Sequence, residues 1–137
     1  MINNICENLY LSDWEGASNL NFIKELGITK IISLGNEKEQ EMYKFYDDIE
    51  YLKIIIKDNK EENICKYFKE TNKFISDGIV LVHCNKGISR SSTIIISYFM
   101  NKGMNYEKTY RKIKKIRYMI KPNEGFIKQL IDYYKID

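Results

Sequence analysis

The sequence predicts an α/β fold in which a small, mostly parallel sheet is flanked by helices on both faces. Three observations lead to this prediction. Strand-like and helix-like segments alternate through the first two thirds of the chain, and two or three helical segments close it. A continuous apolar run at residues 79–82 is typical of a central strand buried on both faces. With 137 residues, of which 44% are apolar, the chain is expected to form a single domain over residues 1–137.

The opening part of the chain is predicted to fold as a strand, a helix and a second strand. Residues 9–12 are typical of a short strand, and Asp13 is a helix N-cap with Gly27 as the corresponding stop. Residues 28–34 are β-branched and predict a buried strand. The polar stretch 36–50 has no clear period, so a short helix and a loop both stay open there.

The middle of the chain continues this alternation. Residues 51–56 predict another strand, and the polar loop after it places Asp58 just beyond the strand's carboxyl end. Residues 61–77 carry apolar side chains at helical spacing and predict an amphipathic helix. The apolar strand at 79–82 then places Cys84 at a second carboxyl end, which is where ligands bind in sheets of this type.

The last third of the chain is predicted to be helical. Ser91 and Ser92 are candidate N-caps of a helix with almost no polar face, which is therefore expected to be the most buried one. Asn105 caps a second helix, and a third follows Pro122. Neither a linker nor a repeat divides the chain.

Composition and charge exclude several classes of function. A net charge of +3 does not require nucleic acid as a partner, and no apolar stretch is long enough for stable membrane insertion. One His and three scattered Cys predict neither a zinc site nor a disulfide framework. Reduced thiols favour a cytoplasmic protein, with the nucleus as the alternative compartment. The oligomeric state is not predicted.

The loop after the central strand carries the chemistry. Between His83 and Ser91 it places a thiol, a glycine and an arginine at the start of a buried helix. Backbone N–H groups and the helix dipole favour an anion there, and the same field favours the thiolate form of Cys84, a strong nucleophile. The chain has 19 Lys and only 3 Arg, so Arg90 stands out as a planar fork for two phosphoryl oxygens. Asp58, at a neighbouring strand end, is a natural proton donor.

These residues resemble those of a known family. The motif His83-Cys84-x-x-Gly87-x-Ser89-Arg90-Ser91 resembles the active-site loop of cysteine-dependent protein tyrosine phosphatases, and in detail that of the small dual-specificity phosphatases. Residues 8–11 and 26–29 are similar to that family's opening, 55–58 to its general-acid loop, and 117–130 to its closing motif. The resemblance covers nearly the whole chain and implies a protein-tyrosine-phosphatase-like fold.

The resemblance also implies a function and a set of site residues. It implies hydrolysis of phosphotyrosine and phosphoserine or phosphothreonine in phosphorylated proteins, through a phosphocysteine and without metal or cofactor. Cys84 would be the nucleophile, Arg90 the phosphate clamp, and Asp58 the acid and then the base. Ser91 would stabilise the departing thiolate, and His83 would tune Cys84. The residues implied to bind the phosphate or to brace its loop are Asn85, Lys86, Gly87, Ile88, Ser89, Arg90 and Asn123.

Two departures from the family pattern bear on the substrate. Lys86 stands where the family usually has a small residue and adds positive charge near the rim, which favours a substrate with more than one acidic group. Tyr118 stands where Pro is common. Lys86 and the basic run at 108–121, otherwise a solvated helical face, leave open the same chemistry on a phosphoinositide, an RNA 5′ end or a phosphoglycan. A catalytically weak phosphate-binding module is the other alternative.

Several of these residues also have a structural interpretation. Asp58 has three competitors for the acid role, which are Asp47, Asp48 and Asp77. His83 is equally consistent with a hydrogen bond to the backbone. Cys65 is expected to pack against the core rather than to act as a redox partner of Cys84.

Overall fold

The computed structural model describes residues 1–135 and contains one five-stranded sheet. The strands are β1 (Ile2–Cys6), β2 (Leu9–Ser12), β3 (Lys30–Gly35), β4 (Glu50–Ile55) and β5 (Val80–His83). Their order across the sheet is β1-β2-β5-β3-β4, so the last strand of the chain is the central one. β1 is antiparallel to β2, whereas all other neighbouring strands are parallel. The predicted mostly parallel sheet is therefore confirmed.

Seven helices connect and follow the strands within residues 1–135. They are α1 (Trp14–Ser18), α2 (Leu20–Glu25), α3 (Glu37–Met42), α4 (Phe68–Ile75), α5 (Arg90–Asn101), α6 (Tyr106–Ile116) and α7 (Glu124–Tyr133). A 3₁₀ turn at Cys65–Tyr67 leads into α4. No helix in this part of the chain combines the length and apolar character that crossing a membrane requires.

The central strand has apolar neighbours on both faces of the sheet. Val80, Val82 and Cys84 belong to the larger of two apolar clusters, which also contains residues of α4, α5, α6 and α7. Leu81 belongs to the smaller cluster, together with residues of α1 and α2. Each fully buried Val or Leu contributes about 1.5–3 kcal/mol relative to exposure. This burial fixes the strand that delivers the cysteine.

Local hydrogen bonds explain where the first half departs from the sequence-based expectation. β1 was not predicted, because it is a polar edge strand in which only Ile5 is buried. The single helix expected after Asp13 is divided at Asn19, which ends α1 and accepts the Phe22 N–H to cap α2. In the stretch left open, Asn36 forms a reciprocal capping box and starts α3.

The start of α5 also differs from the prediction. Ser91 and Ser92 are wrong as N-caps, since the helix already begins at Arg90 and both serines lie inside it, fully buried. Ser89 is the N-cap but makes no side-chain cap bond. Its hydroxyl instead accepts the backbone N–H of Asn123 at 3.0 Å. The N-cap therefore lies two or three residues earlier than predicted, and its hydroxyl makes a tertiary contact instead of a cap bond.

Candidate active site

The loop between β5 and α5 curls around the thiol of Cys84, which is 2% exposed. The Gly87 N–H donates to Cys84 Sγ at 3.3 Å, and Ser91 Oγ lies 3.1 Å from the same sulfur. Gly87 has a φ of +68°, and a Cβ at this position would lie 2.7 Å from the Ser12 carbonyl oxygen. Only glycine permits this turn, and the turn brings an N–H donor to the sulfur.

Arg117 holds this loop from outside the pocket. It is 2% exposed, and its Nε and Nη2 donate to the carbonyl oxygens of Gly87 at 2.9 Å and Lys86 at 3.2 Å. Its Nη1 donates to Asn3 Oδ1 at 2.8 Å on β1. The guanidinium therefore ties the loop to the edge of the sheet and donates hydrogen bonds to two loop carbonyl oxygens.

Arg90 is held by a carboxylate that the sequence analysis missed. Glu39, on α3, accepts from Arg90 Nη1 at 2.6 Å and from Nη2 at 3.0 Å. Burial raises the pKa of Glu39, but hydrogen bonds from Arg90 and Asn36 outweigh it and hold this pKa below its usual range. Glu39 is also the third helical residue after Asn36, where a capping box accounts for a glutamate. The sequence therefore carried no separate signal for its contact with Arg90.

The contacts of Arg90 leave one side of its guanidinium free. Two of its five N–H groups donate to Glu39, and a third, on Nη1, donates to the Ile56 carbonyl oxygen at 2.9 Å. The buried Nε–H has no partner within residues 1–135. Nε–H and the remaining Nη2–H point in the same direction and form the side-on fork of an arginine. This fork has the geometry that binds two oxygens of a phosphoryl group.

His83 and Ser91 aside, the predicted catalytic residues, which are Asp58, Cys84 and Arg90, line one pocket of about 320 Å³. Its lining residues are Asp58, Cys84, Asn85, Lys86, Ile88, Ser89 and Arg90. Lys86 is exposed, as expected of a residue at the rim. The competing carboxylates Asp47, Asp48 and Asp77 do not line it, and Asp48 pairs with Lys24 at 3.0 Å instead. Among residues 1–135, no three His, Cys, Asp or Glu side chains are grouped as metal ligands would be.

Asn123 connects Asp58 to the loop between β5 and α5. Its Nδ2 donates to Asp58 Oδ1 at 2.9 Å, and its backbone N–H donates to Ser89 Oγ at 3.0 Å. Close packing supports the same junction, because a Cβ on Gly125 would overlap the carbonyl oxygen of Lys60, which lies in the same loop as Asp58. Asn123 occupies one oxygen of Asp58 as an acceptor, so the other oxygen is free to carry a proton.

His83 is buried directly beneath the loop. Its Nδ1 lies 3.2 Å from the Cys84 carbonyl oxygen, and its ring makes an edge contact with Tyr43 at 4.7 Å between centroids. The carbonyl only accepts, so Nδ1 carries the proton in the neutral tautomer. Burial lowers the pKa of His83 to about 4. The contact orients the backbone of Cys84 rather than its thiol.

The low pKa of His83 predicts a pH dependence of stability. The unfolded chain protonates this residue near pH 6.5, whereas the folded chain resists protonation down to about pH 4. The contribution of neutral, buried His83 to the free energy of unfolding is fully present above pH 6.5. It is lost as the pH falls from 6.5 to 4, and the loss amounts to about 3 kcal/mol. Urea unfolding at several pH values should show a steeper decline for the wild type than for His83→Gln. Equal slopes would contradict this assignment.

The remaining residues singled out by the sequence lie outside the pocket. The basic run does not form one uniform face, because Arg117 is buried and Lys114 Nζ donates to the Tyr118 carbonyl oxygen at 2.9 Å. Tyr118 itself is 78% exposed. Cys65 is half-buried against the larger apolar cluster, and its Sγ donates to Asn63 Oδ1 at 3.1 Å. These contacts agree with a packing role for Cys65.

The position of the cysteine defines the class of protein. A cysteine directly follows the central parallel strand, an arginine with a free fork lies at the start of the next helix, and a carboxylate lines the same pocket from the loop after β4, which β3 separates from the central strand. This is the architecture of protein tyrosine phosphatases. Residues 9–136 match the family model described as the dual specificity phosphatase catalytic domain. The chain belongs to that family.

Known relatives share both the sequence and the fold. The chain is 43% identical over 122 residues to a probable dual specificity protein phosphatase of Dictyostelium discoideum, covering 85% of this chain and 30% of the relative. It is 39% identical over 137 residues to the MAP kinase phosphatase with leucine-rich repeats protein 1 of the same organism, covering 96% and 16%. The chain therefore spans less than a third of the length of either relative.

One solved structure is very similar along almost its whole length. It is that of the human tyrosine phosphatase-like serine/threonine/tyrosine-interacting protein, with a TM-score of 0.92 and 36% identity. The similarity covers 96% of this chain and 94% of the human one. The α/β architecture predicted from the sequence is thus the fold of a dual-specificity phosphatase relative.

Proposed function

We propose that residues 1–137 form a catalytic domain that hydrolyses phosphotyrosine and phosphoserine or phosphothreonine in phosphorylated proteins. The observation that carries this proposal is the free side-on fork of Arg90 in the same pocket as the Cys84 thiol and the Asp58 carboxyl. No long insertion in the sequence deepens the pocket for phosphotyrosine alone. A thiolate nucleophile requires a reducing compartment, so we place the reaction in the cytoplasm.

In the first step the thiolate of Cys84 attacks phosphorus. Its sulfur forms a bond to phosphorus while the bond from phosphorus to the leaving oxygen breaks, and that oxygen takes the proton of Asp58. The fork of Arg90 and the N–H groups of residues 85–90 bind the three equatorial oxygens as their charge spreads. The products of this step are the dephosphorylated side chain and a phosphocysteine.

In the second step water removes the phosphoryl group from the sulfur. Asp58, now ionised, accepts a proton from a water molecule whose oxygen attacks phosphorus. The bond between sulfur and phosphorus breaks, and the electron pair returns to Cys84 as a thiolate. Ser91, whose Oγ lies 3.1 Å from the sulfur, donates a hydrogen bond to this departing thiolate. Inorganic phosphate leaves, and both residues are restored.

Asp58→Asn tests the acid role in a way that depends on the leaving group. We expect kcat to fall roughly 10²-fold or more on phosphoserine peptides, because an alkoxide leaves poorly without a proton. The fall on an aryl phosphate should be smaller, since a phenolate is a better leaving group.

The matched control for this experiment is Asp77→Asn, which removes an exposed carboxylate that does not line the pocket. Its rates should equal those of the wild type on both substrates. An equal loss in the two variants, or no difference between leaving groups in Asp58→Asn, would reject Asp58 as the acid.

The substrate class is tested by comparing phosphopeptides with phosphoinositide vesicles. Rates of hydrolysis by the wild type should be higher on phosphopeptides, and the reverse order would reject a protein substrate.

A phosphate-binding module is the second candidate. The observation in its favour is the name of the human relative, which describes an interacting protein that is phosphatase-like. The joint presence of Cys84, Arg90 and Asp58 around one pocket favours turnover in this chain. A folded wild type that binds phosphopeptides but hydrolyses neither these nor aryl phosphates would establish the second candidate instead.

A further inference from the structure

A second, larger cavity lies directly beside the phosphate pocket. This groove has a volume of about 580 Å³ and shares Asp58, Ile88 and Ser89 with the pocket. Its remaining wall is formed mainly by apolar side chains of α6, α7 and the segment between them, which include Tyr106, Tyr110, Pro122 and Ile127. The proposed two-step reaction does not require a cavity at this position.

The position of Asp58 decides what enters this groove. Displacement at phosphorus is in line, so the leaving oxygen lies opposite the Cys84 sulfur and next to the group that protonates it. Asp58 belongs to both cavities. The groove therefore begins on the leaving-group side of the reaction and receives the part of the substrate beyond the broken bond, not a second phosphate at the nucleophile.

The walls of the groove favour an apolar occupant. The rings of Tyr106 and Tyr110 are stacked with centroids 5.8 Å apart, and both are half-buried. Ile127 is half-buried as well and lies outside both apolar clusters of the core. Its side chain lines the groove and is partly accessible to a ligand.

The charges at the edge of the groove oppose an anionic lipid surface or a nucleic acid. Besides Asp58, the lining contains the carboxylates of Glu107 and Glu124 and the single ammonium of Lys121. Glu124 forms an exposed ion pair with Lys60 at 3.4 Å. A surface of phosphates would meet more negative than positive charge here, whereas a polypeptide would not be repelled.

We propose that the groove binds an apolar side chain of the substrate polypeptide within about three residues of the phosphorylated one. An extended chain advances about 3.3 Å per residue, so side chains at that spacing reach a groove that adjoins the phosphate pocket. The inference rests on the proposed phosphoprotein phosphatase activity and adds a sequence preference to it. Ile127, Tyr106 and Tyr110 are the residues that determine this preference.

The experiment compares phosphopeptides that carry Ala, Leu or Phe at one flanking position at a time, from three residues before to three after the phosphorylated residue. We expect kcat/KM to be roughly ten-fold higher for Leu or Phe than for Ala at one or two positions, because an apolar side chain is removed from water. In Ile127→Ser this ratio should fall below about three-fold. The matched control is Ile131→Ser on the same helix, an exposed residue outside the groove, which should keep the wild-type ratio.

The outcomes separate this inference from the proposed function. Equal kcat/KM for Ala, Leu and Phe at all positions, in a wild type that hydrolyses phosphopeptides, overturns the groove inference alone. A ratio that survives in Ile127→Ser, or falls equally in Ile131→Ser, also overturns it. A wild type that hydrolyses no phosphate ester rejects the proposed function first. Faster hydrolysis of phosphoinositide vesicles than of every peptide rejects the polypeptide as the occupant.

Discussion

Cys84→Ser is expected to lower kcat by roughly 10³-fold or more while leaving the fold intact. A serine hydroxyl is not ionised at neutral pH, so the attacking atom loses its negative charge. The substitution changes one buried atom, and the neighbours of that atom remain satisfied. The Gly87 N–H and the Ser91 hydroxyl, at 3.3 Å and 3.1 Å from the sulfur, can both hydrogen-bond a serine oxygen after a small local shift. The rate of aryl phosphate hydrolysis measures the loss of kcat, and thermal unfolding in parallel measures whether the fold is intact.

The matched control is Cys65→Ser, because Cys65 is a half-buried thiol with a local partner in Asn63. Its kcat should stay within about two-fold of the wild type, as expected for a substitution away from the reacting atoms. Substantial turnover in Cys84→Ser, or a comparable loss in Cys65→Ser, would contradict the assignment of the nucleophile. A Cys84→Ser protein that unfolds at a much lower temperature would instead assign the thiol a packing role.

Arg90→Lys is expected to lower kcat/KM by roughly 10²-fold or more and also to destabilise the fold. An ammonium cannot bind Glu39 with two bonds, donate to the Ile56 carbonyl and still present a fork to phosphate. The lysine also takes hydrogen-bond donors away from Glu39 and from the buried Ile56 carbonyl oxygen. This loss should lower the free energy of unfolding by roughly 1–3 kcal/mol. Steady-state kinetics and urea unfolding report the two effects separately.

Two further variants separate the role of Arg90 in catalysis from its role in stability. The double variant Arg90→Met/Glu39→Gln replaces both charged partners by uncharged side chains and leaves no buried charge unpaired, so it should be more stable than Arg90→Lys while its activity stays low. Arg111→Lys is the matched control on the exposed face of α6 and should behave as the wild type. If the double variant regains activity together with stability, Arg90 is structural and the proposed clamp is wrong.

The parts of the fold that burial determines could be predicted from the sequence. The central strand was identified because its apolar run is buried on both faces, and Asn105 was identified as a cap because a side-chain acceptor there has no competing partner. β1 could not be identified, since it depends on pairing with β2 and buries only Ile5. The cap of α5 was misplaced because the Ser89 hydroxyl accepts from Asn123, a contact across 34 residues.

The candidate site shows the same division. Its loop is local in sequence, so the positions of Cys84 and Arg90 relative to each other follow from the motif. The choice of Asp58 over its competitors follows from its place at a strand end. Glu39 could not be identified, because it approaches Arg90 from 51 residues away and already has a local role in capping α3. Long-range partners of this kind require the folded chain.

Direct detection of the phosphocysteine tests the central claim. Wild-type protein is mixed with an aryl phosphate, whose phenolate leaves readily so that hydrolysis of the intermediate limits the rate, and is denatured within the first turnover. Fragment mass spectrometry should then find one phosphoryl group on the fragment that contains Cys84, appearing together with a burst of phenol and absent from Cys84→Ser. Turnover with no phosphoryl group on that fragment, or with the group on another residue, would contradict the two-step mechanism.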